Sequence, residues 1–371
     1  MHIGINCFED VEIRTIISSI GQMGNCELTG AENVYIYDTD SVSENWDLKA
    51  YFLEIIDVYT PESLLPADFP RDSLKPIEEI FVSDWSIFAV SKEYVKRIII
   101  EICKSEYPED SKIFTERVGL EKLCDSDFLK RNCLTRESTW ERFTTSIKSI
   151  NRFHSNHINL ELLKQFFESP VMQKNILRGD TEFFRSRISD ENGLKKEEMG
   201  PPPIRQITAG RTNSKGIRCL YLSNDQLTTI HEIRARDFDY VSIGKFRAKQ
   251  ELRIVDLSNL DKISPFSMDV FNVEWFSINM SILKKISKEI AKPLRRQDSE
   301  LDYLPSQYIA DYIKSLGYDG ICYRSTLNKS GVNYAIFDSK KFECIDVSLV
   351  HINSVKYNFT VVDEREAVLS V

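Results

Sequence analysis

Apolar residues recur at helical spacing through the first 175 residues. Leu48, Tyr51, Phe52, Ile55 and Ile56 fall on one face of 46–58, and Val95, Ile98 and Ile99 on one face of 77–104. Phe114–Lys130, Arg136–Ile150, with Trp140 and Phe143 three apart, and Leu160–Phe167 continue the pattern. Val34–Tyr37 is a short β-like run, and four Pro mark 59–76 as a loop. After residue 217 the pattern changes. Short strands are predicted at Cys219–Leu222, Tyr240–Ile243, Leu252–Asp256, Gly320–Tyr323, Tyr334–Phe337 and Phe342–Val347. Helices are predicted at 225–235, 275–291 and 303–316, and Gly317 is a natural stop for the last one. This order predicts an α+β chain, with an α-helical accessory domain at 1–175 and a mixed domain at 176–371. The boundary falls near 170–180, where Ser-Pro and Arg-Gly-Asp punctuate the chain. Residues 189–203 are polar, end in three Pro and are expected to form a mobile loop, equally a lid or a connector.

Composition narrows the class. Of 371 residues, 42% are hydrophobic and 28% charged, enough for two or more cores. The net charge of −9 gives no broad positive field for nucleic acid. Lys284–Arg296 holds several cations and reads as a solvated helix face rather than a basic groove. There is no apolar run long enough to span a bilayer and no basic, secretory-type start, so neither a membrane nor export is expected. The eight Cys are scattered and read as reduced thiols of a cytoplasmic protein. No Gly-x-Gly-x-x-Gly joins a strand to a helix, which argues against a Rossmann site.

The stretch 210–232, GRTNSKGIRCLYLSNDQLTTIHE, concentrates the chemistry. A polar turn carries Arg211, an apolar strand carries Tyr221, and a helix capped by Asn224 or Asp225 carries Glu232. Taken alone, these residues have ordinary readings. Glu232 would pair with Arg234 and Arg236 at the surface, Tyr221 would be core, Arg211 would be solvated and Ser325 would serve a turn. His231 is expected to pack or face solvent, because successive helix positions point about 100° apart.

This stretch resembles the signature of the RES domain, a family of bacterial toxins with an ADP-ribosyltransferase-like fold that consume NAD. The matching pieces are Gly210-Arg211-Thr212-Asn213, Gly216, Leu220-Tyr221-Leu222 and Thr228-Thr229-Ile230-His231-Glu232. Phe184-Arg185-Ser186-Arg187, Leu252–Leu257 and Gly317–Ser325 through Gly331–Phe337 follow the family's order over about residues 178–350. Phe184 stands where Tyr is usual, and Thr229 where a small Ala is usual, a change that bears on packing. The resemblance implies NAD as substrate with no further cofactor required. It gives Arg211, Tyr221, Glu232 and Ser325 catalytic positions, and makes Arg185, Asn213 and Asn333 binding residues. These types suit the reaction: a fixed cation for phosphate, a flat ring for nicotinamide and a carboxylate for an oxocarbenium-like ribose. Cleavage by water, phosphate or a protein acceptor all remain open. The family is often paired with an Xre-type antitoxin, and self-association is also open.

Two further resemblances concern the first half. The helices are similar to HEPN-like accessory domains. Arg152 and His157 have the spacing of the HEPN ribonuclease motif, in which Arg steadies a phosphate and His moves a proton. A ribonuclease, or an inactive module that senses NAD or docks a partner, is therefore the alternative function. Residues 24–30 resemble half of a degenerate zinc module. Cys7, Cys26 and His2 do not supply four tetrahedral ligands, so no metal is expected.

Overall fold

The computed structural model describes residues 1–40, 48–136, 138–179, 181–260, 263–267, 271–292, 299–328 and 330–356. Residues 46–47, 137 and 180, and the end of the basic run at 293–296, lie outside the described residues. The chain forms an α+β structure whose compact units do not follow its linear order. One unit gathers residues 1–175, 208–215 and 253–323. The other gathers 176–207, 216–252 and 324–371.

The first unit is mainly helical. Its longer helices are Val11–Ile20, Leu48–Ile56, Lys92–Cys103, Trp140–Ser149, Leu160–Glu168, Val273–Ala291 and Leu304–Ser315. An aromatic core joins early and late sequence. Phe166 stacks on Trp275 with centroids 5.6 Å apart, and Trp275 lies 4.1 Å from Phe271 and 5.1 Å from Phe276. A fully buried amide fixes the same junction. Asn279 accepts from the Leu134 N–H at 2.8 Å and donates to the Asn132 and Trp275 carbonyls at 2.8 and 2.9 Å. A buried amide satisfied on three sides is costly to break, because each lost partner leaves a desolvated polar group.

Two expected helices are interrupted in this unit. The 77–104 stretch becomes a short helix Ile77–Glu79, a π turn Ile80–Asp84 and the helix Lys92–Cys103. Between them, Ser86 sits at φ 53° and residues 87–89 pair with 7–9: Glu9 N–H donates to Ile87 O at 2.8 Å, and Ala89 N–H to Cys7 O at 2.9 Å. That pairing delivers Phe88 to Phe8 at 5.2 Å, so long-range packing outweighs local periodicity. The 114–130 stretch likewise breaks, because Val118–Gly119 pairs antiparallel with Thr60–Pro61. The strand His2–Gly4 pairs with Val34–Asp38, and Asp10 caps the Val11–Ile20 helix by accepting from Ile13 N–H at 3.0 Å. The β-branched run in that helix obscures it in the sequence. Leu252–Asp256 and Gly320–Arg324 run parallel, with Val255 opposite Ile321.

The second unit is an antiparallel sheet in the order Phe342–His351, Tyr240–Ala248, Glu182–Ser189, Leu220–Ser223, Val332–Ile336. Glu182 faces Arg247 and Ser189 faces Tyr240, an unbroken register reinforced by ion pairs from Glu182 to Arg247 at 2.7 Å and Lys245 at 3.0 Å. Phe183 fills the core edge-on against Tyr334 and Phe342, at 4.9 and 5.4 Å. The helix Gln226–Glu232 packs on this sheet, where Thr229 meets Ser186. The segment 189–203, expected to be mobile, is instead pinned. Its turn Lys196–Met199 buries Met199 completely, and Leu194 N–H donates to Ser242 Oγ at 2.9 Å. One buried Met among many charges is an anchor that composition does not reveal.

Candidate functional site

In the second unit the site grows from the helix that carries Glu232. Asp225 caps this helix, accepting from the Leu227 and Thr228 N–H groups at 3.0 and 2.9 Å. Burial pushes the Asp225 carboxyl up, but hydrogen bonds from Thr228, Leu227 and Asn328 outweigh it and hold the group below its usual range. Residues 325–328 and 330–331 run back along the helix and are tied to both its ends. Asn328 Nδ2 donates to Asp225 Oδ2 at 3.0 Å and Thr228 Oγ1 at 2.7 Å. Gly331 lies so close to Thr228 that a Cβ there would collide with it. At the far end, Ser325 Oγ donates to Glu232 Oε1 at 2.8 Å. Asn333 Nδ2, from the Val332–Ile336 strand, donates to the same oxygen at 2.7 Å.

Glu232 is thus not spent on the arginines that follow it. Its Oε1 is held by two neutral donors that are themselves buried, while Oε2 has no partner among the described residues. A carboxylate fixed in this way can meet a developing positive charge without reorganising. The structure brings Glu232, Ser325 and Asn333 together. His231 points to solvent, as its place on the helix predicts.

Arg185 and Tyr221 also belong to this unit. Arg185 Nη1 donates to the Tyr221 carbonyl at 3.1 Å, while its buried Nε has no hydrogen-bond partner among the described residues. Burial and the nearby Arg187 push this guanidinium down to about 10, so it stays charged at neutral pH. Tyr221 is half-buried in its strand.

Arg211 and Asn213 lie in the other unit, on a turn at 208–215. Asn213 Nδ2 donates to Thr208 O and Ser214 O, both at 3.1 Å, so its amide donors shape the turn. The Arg211 guanidinium lies 5.5 Å over the Tyr323 ring, and its buried Nη1 has no hydrogen-bond partner among the described residues. An unpaired buried guanidinium N–H is a group prepared for an acceptor. The turn is held by residues that sequence patterns did not single out. Gln307 Nε2, on the Leu304–Ser315 helix, donates to Gly210 O at 2.8 Å and Asn213 O at 2.9 Å. Ser306 Oγ donates to Arg211 O at 2.7 Å. The available signal was a Ser-Gln pair placed where an apolar helix face was expected.

The two residues of the ribonuclease spacing have different settings. Arg152 and His157 lie in the irregular connection between the Trp140–Ser149 and Leu160–Glu168 helices. His157 Nδ1 pairs with Ser138 Oγ at 2.7 Å, whereas Arg152 lines a cleft against Tyr308 and Tyr312. Cys7 and Cys26 are buried with their sulfurs 3.6 Å apart. No group of three or more His, Cys, Asp or Glu suited to a metal occurs among the described residues.

Glu232, Ser325 and Asn333 thus form one hydrogen-bonded cluster around a carboxylate. The family model described as the RES domain matches residues 186–359, a little under half of the chain. The match runs through both compact units. Among solved structures, a chain of the M. tuberculosis MbcT-MbcA toxin-antitoxin complex is similar, with 10% identity and a TM-score of 0.27 over 47% of this chain and 87% of that one. A likeness that loose has no functional weight. No curated protein matches the sequence. No helix among the described residues is long and apolar enough to cross a membrane.

Proposed function

We propose that this protein is an NAD-degrading toxin that breaks the N-glycosidic bond to nicotinamide. The observation that carries this reading is the Glu232 carboxylate, fixed by Ser325 and Asn333 inside the RES match. As the ribose C1′–nitrogen bond breaks, its electron pair leaves with nicotinamide and neutralises the ring cation. The ribose becomes oxocarbenium-like, and Glu232 stabilises it. An acceptor (water, phosphate or a protein group) then supplies electrons to C1′ and gives up its proton. In this proposal Tyr221 supports the nicotinamide ring, while Arg211 and Arg185 bind phosphate. NAD is the substrate, and no further cofactor is needed. A cytoplasmic site of action and a neutralising protein antitoxin belong to the same proposal.

The test is incubation of purified protein with NAD, with products read by mass. Free nicotinamide with ADP-ribose supports hydrolysis, and a phosphorylated ADP-ribose in phosphate buffer supports phosphorolysis. A mass gain on protein supports transfer. NAD recovered intact under all three conditions overturns the proposal.

A further inference from the structure

The first unit contains a cleft of about 270 Å³ that the glycosidic chemistry does not use. One wall is a continuous face of the Leu304–Ser315 helix: Leu304, Gln307, Tyr308, Asp311 and Tyr312. These positions follow the i, i+3, i+4, i+7, i+8 spacing, so a single helix face is given to the cleft. Ile147, Arg152, Phe153 and Ser214 complete the lining. The volume lies just below the range of about 300–1,000 Å³ usual for ligand pockets, which suits a planar ring and its immediate substituents rather than a whole dinucleotide.

The lining is aromatic with polar groups available. Tyr308 is fixed from behind by Phe143, edge-on at 5.1 Å, and Tyr312 by its hydroxyl on the Leu160 carbonyl at 2.7 Å. Both rings are therefore held in place before a ligand arrives. Phe153 is 81% exposed at the rim, an apolar ring left in water. Neither Arg152 nor Asp311 makes a hydrogen bond among the described residues, and Asp311 has Lys314 three residues along its helix as its electrostatic neighbour. Arg152 and Asp311 are both exposed, so their charged ends are accessible to a polar guest. A ring with N–H donors on its edge and a phosphate on its sugar answers all three features: stacking on the aromatics, N–H to Asp311 and phosphate to Arg152.

We infer that this cleft is a binding site for an adenosine phosphate. Two sources share that chemistry: the adenosine half of NAD, or a free adenine nucleotide acting as an effector. The first source rests on the NAD reading above and has a structural basis. Ser214 and Gln307 line the cleft and also build the Arg211 turn, through Ser214 Oγ on Gln307 Oε1 at 3.3 Å and Gln307 on the Gly210 and Asn213 carbonyls. Ser214 is three residues from Arg211, so the chain holds their Cα atoms within about 11 Å. A nucleotide in the cleft thus sits beside the turn that presents the unpaired guanidinium.

The experiment is calorimetric titration of the full-length protein with AMP, which does not depend on NAD cleavage. AMP is expected to bind. Arg152→Ala and Tyr308→Ala should each weaken it tenfold or more, with Tyr308→Phe retaining affinity and showing that the fold survives. Adenosine, which lacks the phosphate, should bind weakly and be insensitive to Arg152→Ala. Inosine monophosphate, with a carbonyl in place of the exocyclic amine, should bind less well than AMP, and Asp311→Asn should erase that preference. No AMP binding, or binding unchanged in the Arg152 and Tyr308 variants, overturns the inference. The two sources separate by competition. If AMP competes with NAD, and Arg152→Ala raises KM for NAD but not for nicotinamide mononucleotide, the occupant is the substrate's adenosine end. If AMP and NAD bind together, it is a free nucleotide. AMP binding as expected in a protein that leaves NAD intact would sink the glycosidic reading and leave the cleft assignment standing.

Discussion

At the scale of single residues, the candidate site depends on which groups are already satisfied. Glu232 offers one oxygen to Ser325 and Asn333 and keeps the other. Glu232→Gln preserves the shape and removes the charge. NAD turnover should fall roughly a hundredfold or more, about 3 kcal/mol of transition-state stabilisation, while NAD binding changes little. Parent-like turnover in that variant would remove Glu232 from the chemistry. Thr229 poses a different question, because the family's usual residue is smaller. Its hydroxyl accepts from Ser186 at 2.5 Å and donates to Gln226 O at 2.7 Å. Thr229→Ala alone should therefore cost about 1–2 kcal/mol, since it orphans a buried Ser186 hydroxyl. Ser186→Ala in the same chain should recover part of that loss. Denaturant melts of the four forms measure the coupling, and strict additivity would refute the hydroxyl relay.

At the scale of elements, the short helix Gln226–Glu232 is held by its cap and by residues 325–328 and 330–331. Asp225 carries a depressed carboxyl pKa, so its contribution is present above the unfolded value near 4 and is lost as pH falls through the lower folded value. Acid unfolding of Asp225→Asn should accordingly be flatter below about pH 4 than that of the parent. Gly331→Ala would drive the loop off Thr228 and draw Ser325 away from Glu232. We expect a stability loss on the order of 1–3 kcal/mol with a fall in turnover, and a variant of unchanged stability and rate would show that the close approach is dispensable. These elements also show what the sequence made legible. The cap, the strand of Tyr221 and the late helices follow from local pattern, because each is governed by neighbours in the chain. The 77–104 break, the Met199 anchor and the Gln307 clamp depend on partners tens to hundreds of residues away. Gln307 to Gly210 is one such pair, and no local rule registers it.

At the scale of the whole molecule, the helical first half is not closed on itself. Phe166 finds its stacking partners on 271–276, and the backbone at 132–134 is completed by Asn279. Expressed alone, residues 1–175 should expose that aromatic seam, bind a hydrophobic dye and lack a sharp melting transition. A cooperative melt of that fragment would contradict the interleaved core. The interleaving also sets a clock on synthesis. About 150 residues separate the end of the first helical segment from the end of the last piece of its unit. At roughly 5–20 residues per second, the newborn helices wait on the order of ten to thirty seconds for the strands and helix that cover them. During that interval Phe166 and its neighbours are a target for chaperones. An early stop in translation yields a sticky fragment rather than a smaller working protein.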